Sequence, residues 1–423
     1  MSKERVITQA PIQTRSDTVH KHERMFPLLV SESLNSLKEY ETGVQRARVD
    51  VWNTVGRKID LSYESSSLEL TRREFVSELI DARYQIISSI YGINPGERVV
   101  IRDDDNEVVN IAKQHVGRLI DRGVFQQFTE RFSSCPQCDR VIAPTAAGLC
   151  SCPDCSNGLV TVERSGLFMT MSPETKAWIL SETNLNNPKA RQVLSSALHN
   201  MPLIIQVSKQ RAYGITLEEF GVDPRFVLDP KITLAFLPSI LREMGQGELD
   251  TVILGTDSVP NFVPYAAYFD QNTQIKYISI GLIPPYSDTE IAKYEAGFYY
   301  PFLALVMTST NGNLAAEQYN ALFREYTRTI RKFDSCLTAF SIIEPQGEVV
   351  TSNQLRASLS GIIQLFSQYK TRDGVLALRE FVYENLSKQY VEQCKLYNQQ
   401  PEPVLLEQLN KLFNLVYGFD RTT

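Results

Sequence analysis

Two short cysteine motifs, Cys135-Pro-Gln-Cys138 and Cys152-Pro-Asp-Cys155, stand thirteen residues apart near the middle of this chain. The turn-forming residues Pro144 and Gly148 lie between them. Two such pairs can bring four thiolates to one tetrahedral ion, and Zn2+ is bound structurally in this way. The spacing therefore predicts a structural zinc site whose ligands are Cys135, Cys138, Cys152 and Cys155.

The bulk properties of the chain are those of an ordinary globular protein, with 43% apolar and 22% charged residues. At 423 residues it exceeds the size at which one hydrophobic core stops growing, so we expect two or three domains. Five of the seven cysteines fall between Cys135 and Cys155, which in a reducing compartment indicates a metal rather than disulfides. No secretion signal and no run of eighteen apolar residues is present, so we expect a cytoplasmic protein without a membrane partner.

The sequence on either side of the cysteine motifs predicts an interrupted parallel sheet. Helical periodicity marks 72–91 and 108–122, whereas short apolar runs at 202–207 and 251–255 predict buried strands after the motifs. Strand, glycine turn and helix repeated around a central insert favour a parallel sheet, and the long periodic helices from residue 286 onward favour a bundle. We therefore expect an α/β half-domain in 1–125, a zinc-binding insert in 126–200, the second half-domain in 201–285 and a helical bundle in 286–423.

One helix is predicted to carry a basic face. The formal net charge of -6 gives no general attraction for nucleic acid, so an RNA contact would need a local concentration of positive charge. Helical spacing places four basic residues on one side of a helix, and a solvated helix face explains the same spacing. These RNA-binding candidates are Arg324, Arg328, Arg331 and Lys332.

Three stretches resemble class I aminoacyl-tRNA synthetases of the methionyl type. The segment 123–142, which includes the first cysteine pair, is similar to the entry into the zinc knuckles of methionyl enzymes. The stretch that follows the insert in this superfamily is similar to Val207-Ser-Lys-Gln-Arg-Ala-Tyr-Gly214 of this chain. A later G-x-D turn of the superfamily is similar to Gly255-Thr-Asp-Ser258. The resemblance implies an α/β fold: a Rossmann-type parallel sheet split by a zinc-binding insert and followed by an α-helical bundle like an anticodon domain.

The nucleotide-binding signature of that family is altered in this chain. Pro11 is followed nine residues later by His20-Lys-His-Glu23 where the family has HIGH, so His22 takes the position of the glycine and Glu23 that of the second histidine. In the family the glycine lets the adenine base approach the backbone, and the imidazole ring of His22 would block that approach. The carboxylate of Glu23 would repel the phosphates. Both changes oppose the usual pose of ATP. The resemblance implies a catalytic role for His20 and a phosphate contact for His22. Among cofactors it implies structural zinc and leaves the binding of ATP open.

The other two catalytic signatures are altered as well. The GxDxHGxxI signature holds the ammonium group of the amino acid with an aspartate, whereas Asn53-Thr-Val-Gly56 places a neutral amide there. The KMSKS loop supplies lysines to the transferred phosphoryl group, and the matching segment 274–281 offers Lys276, which a plain strand with a solvated lysine explains equally. The resemblance thus implies catalytic roles for His20 and Lys276, substrate contacts by Gln13, Asn53 and Asp257, and phosphate or nucleotide contacts by His22, Lys209 and Arg211.

Two of these assignments have plain structural alternatives. Asp257 follows a glycine turn and would cap the next helix, and Lys209 with Arg211 would form a solvated basic loop. The sequence leaves both alternatives open.

Three altered signatures in one synthetase-like chain predict a repurposed protein that does not make methionyl-tRNA. The leading hypothesis is a ligase-like enzyme of specialised metabolism that joins an amino acid or related acid to a small nucleophile. Two alternatives stay open: a catalytically inactive protein that binds tRNA or a protein partner, and an ATP-independent transferase that uses charged tRNA. Among partners we expect a small acid, leave tRNA open and expect no DNA.

Overall fold

The computed structural model forms two compact units, drawn from 1–18 with 49–278 and from 19–48 with 279–423. The four-segment division of the sequence stays a prediction. The structure describes residues 5–9, 12–13, 26–55, 57–91, 93–137, 141–142, 151–152, 156–270, 274–281, 300–308, 316–343, 349–350 and 352–418.

The first unit is built on a parallel sheet in two parts, ordered β1-β12-β13-β8 and β2-β3-β4. The strands are β1 Arg5–Gln9, β2 Ile12–Gln13, β3 Arg48–Asn53, β4 Arg98–Arg102, β5 Phe125–Ser134, β6 Val141–Ile142, β7 Val160–Thr170, β8 Asn184–Leu185, β9 Ile204–Gln206, β10 Ser208–Gln210, β11 Phe226–Leu228, β12 Glu248–Gly255 and β13 Lys276–Ile280. Val49, Val51 and Trp52 of β3 are all buried, as expected for a parallel strand covered on both faces. The predicted parallel sheet is therefore confirmed.

The helices flank this sheet in the first unit and form the body of the second. In chain order they are α1 Phe26–Thr42, α2 Arg57–Glu64, α3 Arg72–Tyr91, α4 Asn106–Asp121, α5 Pro173–Glu182, α6 Pro188–Asn200, α7 Pro230–Ala235, α8 Leu237–Glu243, α9 Val259–Phe269, α10 Tyr300–Met307, α11 Ala316–Ile342, α12 Asn353–Ser367, α13 Thr371–Glu380, α14 Glu392–Tyr397 and α15 Pro403–Tyr417. A π-helical segment, Phe381–Val391, joins α13 to α14. The sequence Ser172-Pro-Glu-Thr175 predicts a helix N-cap, and the structure confirms it: the Ser172 hydroxyl accepts from the Thr175 N–H at 3.2 Å at the start of α5.

A long antiparallel hairpin interrupts the α/β region. Strands β5 and β7 pair from Phe125 opposite Met169 to Ser134 opposite Val160, and β6 and β9 extend the sheet on either side. The ring of Phe168 stacks on Phe128 at 4.4 Å, which fixes one face of the hairpin. Cys135 directly follows β5, so the cysteine motifs begin at the far tip of this hairpin.

The second unit is helical, as the periodic stretches after residue 286 predicted. Its core is aromatic: the ring centroids of Phe333 and Phe413 lie 3.9 Å apart, and Phe302 packs 5.0 Å from Tyr417. Helix α1 belongs to this unit and packs on α10, α12 and α15. Among the helices of the described residues, none combines the length and apolar character needed to cross a bilayer.

Candidate functional site

The most promising site lies where strands of the parallel sheet end. The segment that contains β1 and β2 changes partners within two residues: β1 pairs with β12, whereas β2 pairs with β3. Parallel strands that lead to opposite sides of a sheet leave a crevice at their carboxyl ends, where open α/β folds bind ligands. At this edge of the sheet Gln13 of β2 stands in register with Asn53, the last residue of β3. Two predicted substrate-binding positions are therefore neighbours on adjacent strands.

Asp103 holds the turn that follows Asn53. Its Oδ1 accepts from the Thr54 N–H at 2.7 Å and from the Thr54 hydroxyl at 2.5 Å, and its Oδ2 lies 3.4 Å from the Val55 N–H. The side chain is 2% exposed, and burial raises the pKa of Asp103 to about 6 against the lowering effect of these hydrogen bonds. The sequence indicated only a polar turn here, since nothing in the composition of four polar residues signals that one of them is buried.

Two arginines hold the same turn through its carbonyl groups. The Nη2 of Arg72 donates to the Thr54 carbonyl at 2.8 Å, and the Nη1 of Arg211 lies 3.4 Å from the Val55 carbonyl. Arg72 also pairs with Asp60 at 2.8 Å, which compensates its charge. Side chains from three separate parts of the chain thus fix both peptide units of the turn.

A glycine lets the loop after β10 reach this turn. Gly214 has φ of 141°, and a Cβ added to it would stand 2.8 Å from Val227 and 3.3 Å from Val55. Any other residue would be strained there and would push the loop away. The sequence stretch 207–214, singled out by its resemblance, therefore contacts the end of β3 directly.

The two basic residues of this loop differ in their surroundings. Lys209 forms an ion pair with Asp229 at 2.7 Å. Burial raises the pKa of Asp229, but Lys209 and Lys231 outweigh burial and leave this pKa below its ordinary value. Arg211 has no carboxylate at ion-pair distance among the residues that the structure describes. Of the two predicted phosphate contacts in this loop, Arg211 is the one whose charge is not compensated by an acid among the described residues.

Asp257 lies in a short 3-10 turn, Thr256–Ser258, at the end of β12. Its Oδ1 would be 2.6 Å from a Cβ at Gly255, so a side chain at that position would make Asp257 move. The N-cap position of α9 is held by Ser258, and no side chain caps that helix. Asp257 is therefore not the helix cap that the sequence left open, and its contact with a substrate stays a prediction.

Lys276 is the first residue of β13, where it stands opposite Asn184 of the parallel strand β8. It lies at the amino end of its strand, whereas Asn53 lies at a carboxyl end. The segment is therefore a strand, and the structure does not place Lys276 at the carboxyl edge where Asn53 lies. A catalytic role for Lys276 stays a prediction. His20, His22 and Glu23 lie outside the described residues.

The cysteine motifs are described in part, and Cys138 and Cys155 lie outside the described residues. Cys135 and Cys152 are both buried, and neither forms a disulfide. The Cys152 carbonyl accepts from the Ser156 N–H at 2.8 Å, and the Cys152 N–H donates to the Asn157 carbonyl at 2.7 Å. Buried, reduced cysteines at a hairpin tip suit a zinc ion as donors; within the described residues alone no three ligand side chains converge.

The predicted basic face is part of α11, and its arginines are exposed. Arg324 and Arg328 line a groove of about 620 Å³ together with Arg379 of α13, whereas Arg331 and Lys332 do not line it. Arg379 donates to Glu325 at 2.5 Å on the floor of the groove. The sequence gives no sign that Arg379 lies here, because no local pattern links α13 to α11.

Comparison with solved structures identifies the fold. Mycobacterium tuberculosis methionyl-tRNA synthetase in complex with methionyl-adenylate matches with a TM-score of 0.68 at 12% identity, over 98% of this chain and 89% of that one. The free form of the same enzyme matches with a TM-score of 0.63 at 11% identity, over 98% and 88% of the two chains. No protein-family model and no curated protein sequence matches this chain. The molecule therefore has a class I, methionyl-tRNA-synthetase-like fold, as the sequence resemblance implied.

Proposed function

We propose that this chain is a repurposed synthetase-like enzyme that joins an amino acid or related carboxylic acid to a small nucleophile and does not charge methionine onto tRNA. The observation that carries the proposal is Asn53 at the carboxyl end of β3, at the crevice of a methionyl-tRNA-synthetase-like fold. The resemblance gives this position an aspartate that holds the substrate ammonium. An amide keeps a hydrogen bond there but supplies no charge.

The surroundings of Asn53 favour a working site over an idle one. Asp103, Arg72 and Arg211 all form hydrogen bonds with the turn that follows Asn53. Each of these charged groups loses hydration there, which costs free energy. Rigid support of this kind is what a binding constellation needs to keep its geometry. ATP is the activator that the fold resemblance implies, and zinc at the hairpin tip would serve the structure only.

Exchange of radiolabelled pyrophosphate into ATP, measured over a panel of amino, hydroxy and oxo acids, tests the proposal. We expect exchange with at least one acid. The Asn53→Ala variant should exchange pyrophosphate at least about tenfold more slowly, since a buried substrate contact would be gone. Asn94→Ala, which changes an exposed asparagine, is the matched control. Absence of exchange with every acid would remove the adenylating mechanism.

A second candidate, a protein that binds tRNA without catalysis, is favoured by the arginines on α11. Three exposed arginines, two of which line a groove with Arg379, give the second unit a local basic surface in a chain of net charge -6. Such a surface would bind the phosphate backbone with an affinity that falls steeply with salt.

Filter binding of tRNA at several salt concentrations tests this second candidate. Neutralising Arg324, Arg328 and Arg331 together to glutamine should abolish the salt-dependent binding. The control variant changes three ion-paired lysines of the same unit to glutamine, with the same loss of charge: Lys388, Lys395 and Lys411. Equal binding by both triple variants would eliminate the candidate.

A further inference from the structure

The carboxyl-edge site, defined as Asn53, Thr54, Val55 and Arg211, has an unusual distribution of charge. Among the residues that the structure describes, the other charged side chains around it are matched: Arg72 pairs with Asp60, Arg102 with Asp104 and Arg73 with Asp105. Two charges remain among these described side chains, Asp103 on one side of the turn and Arg211 on the other. Asp103 is only 2% exposed and is covered by the amides of the turn, so a ligand cannot reach it. The accessible charge of the site is therefore the guanidinium of Arg211, which is half-buried.

Arg211 contacts the backbone that follows Asn53. Its Nη1 lies 3.4 Å from the Val55 carbonyl, and Val55 is two residues after Asn53, a distance of at most about 7 Å along the chain. Among the residues that the structure describes, this single weak hydrogen bond leaves most of the five donors of the guanidinium available. Arginine presents these donors as a planar fork that matches a carboxylate.

We propose, on the basis of the function proposed above, that Arg211 binds a carboxylate of the substrate and that the carboxyl-edge site selects an acid without an ammonium group over the matching amino acid. Asn53 offers no charge to hold an ammonium, and a cation beside it repels one. The amide instead suits an uncharged hydroxyl or carbonyl group. The substrate class is therefore a 2-hydroxy or 2-oxo acid.

Binding of matched acids, without ATP, tests this selectivity. Calorimetric titrations would compare methionine with its 2-hydroxy analogue, and leucine with its 2-hydroxy analogue. We expect each hydroxy acid to bind at least about tenfold more tightly than its amino acid, because the ammonium would lose hydration beside a cation without gaining a charged partner. Equal affinities, or tighter binding of the amino acids, would overturn the proposal.

Variants identify the residues responsible. Arg211→Gln should weaken hydroxy-acid binding at least about tenfold, and Arg211→Lys should weaken it less, because the charge remains without the fork. Arg225→Gln is the control, since Arg225 is exposed, pairs with Asp223 at 2.6 Å and lies on the same hairpin region. Asn53→Asp should shift the preference toward the amino acid, and the thermal midpoint of each unliganded variant checks its folding. Unchanged binding by a folded Arg211→Gln variant would contradict the assignment.

Inorganic phosphate and AMP serve as additional probes, because a guanidinium binds phosphate as well as carboxylate. If AMP binding depends on Arg211 and acid binding does not, Arg211 serves a nucleotide and the proposed substrate class is wrong. Failure of pyrophosphate exchange would remove the proposed adenylation but leave the binding preference intact, so the two proposals fail separately.

Discussion

Charged side chains are buried in the first unit next to the strands that end at the carboxyl-edge site. Asp50 of β3 accepts from Arg98 of β4 at 2.8 Å and from the Tyr84 hydroxyl at 2.6 Å, and the Trp52 indole donates to the same hydroxyl at 3.2 Å. Burial and the Asp50 carboxylate both raise the pKa of Tyr84, so this hydroxyl stays a donor. The network ties β3, β4 and α3 together behind the site.

Removal of Arg98 should be costly, because it would leave Asp50 charged and buried. We expect Arg98→Met to lower the free energy of unfolding of the first unit by about 3–5 kcal/mol. Arg73→Met, in which the arginine of the exposed pair with Asp105 is lost, should cost no more than about 1 kcal/mol. Urea titrations of both variants provide the measurement, and equal costs would contradict this account of β3.

Asp103 should make the stability of the first unit depend on pH. Its pKa is about 6 in the folded protein and about 3.9 in an unfolded chain, so the folded state binds a proton that the unfolded state lacks between these values. Stability from this group is therefore present at low pH and is lost as the pH rises through 6, by about 3 kcal/mol. The wild type should gain thermal stability from this group as the pH falls from 7 to 5, and the Asp103→Asn variant should lack that gain. Asp81→Asn, at an exposed acid, should show no such trend; an identical trend in both variants would refute the prediction.

At the scale of elements, the β5–β7 hairpin and helix α11 carry the features that the sequence singled out. The hairpin is paired along its whole length, and Cys135 directly follows its first strand. Helix α11 buries Tyr326, Phe333 and Phe340 at heptad spacing, which leaves its arginines on the opposite face.

The hairpin tip should hold zinc in the purified protein. We expect about one zinc ion per chain, measured by atomic emission, and a loss of most of it in Cys135→Ser and Cys152→Ser. Cys336→Ser, at a buried cysteine of the second unit, should keep its zinc. Full zinc occupancy in the hairpin variants, or none in the wild type, would show that the motifs do not form a metal site.

At the scale of the whole molecule, the fold is shared with a methionyl-tRNA synthetase at only 12% identity. So few identical residues mean that the buried pattern, rather than particular side chains, specifies this architecture. In the proposed function, activity depends instead on the few side chains at the carboxyl-edge site, where the chain departs from the pattern that the resemblance implies.

We expect that the purified protein does not load methionine onto tRNA. The neutral Asn53 would lose the charged part of an ammonium contact, which alone weakens methionine binding by about tenfold or more. An aminoacylation assay with labelled methionine checks this, with the Mycobacterium tuberculosis enzyme as the positive control. Charging at a comparable rate would refute the proposed change of function.

The sequence by itself determined the features that depend on neighbouring residues. Apolar runs predicted β12, periodicity predicted α11, and the Ser172 cap predicted the start of α5, because backbone geometry and turn chemistry act over a few residues. Family-like stretches also indicated where Asn53 stands.

Only the tertiary structure decided which charges are available at the site. Asp103 is buried against Thr54, 49 residues away in the chain, and Arg211 reaches Val55 across 156 residues, whereas Lys209 is paired with Asp229. In the sequence these charged side chains are equivalent. Burial and pairing distinguish them, and both arise from contacts between distant segments that no local pattern encodes.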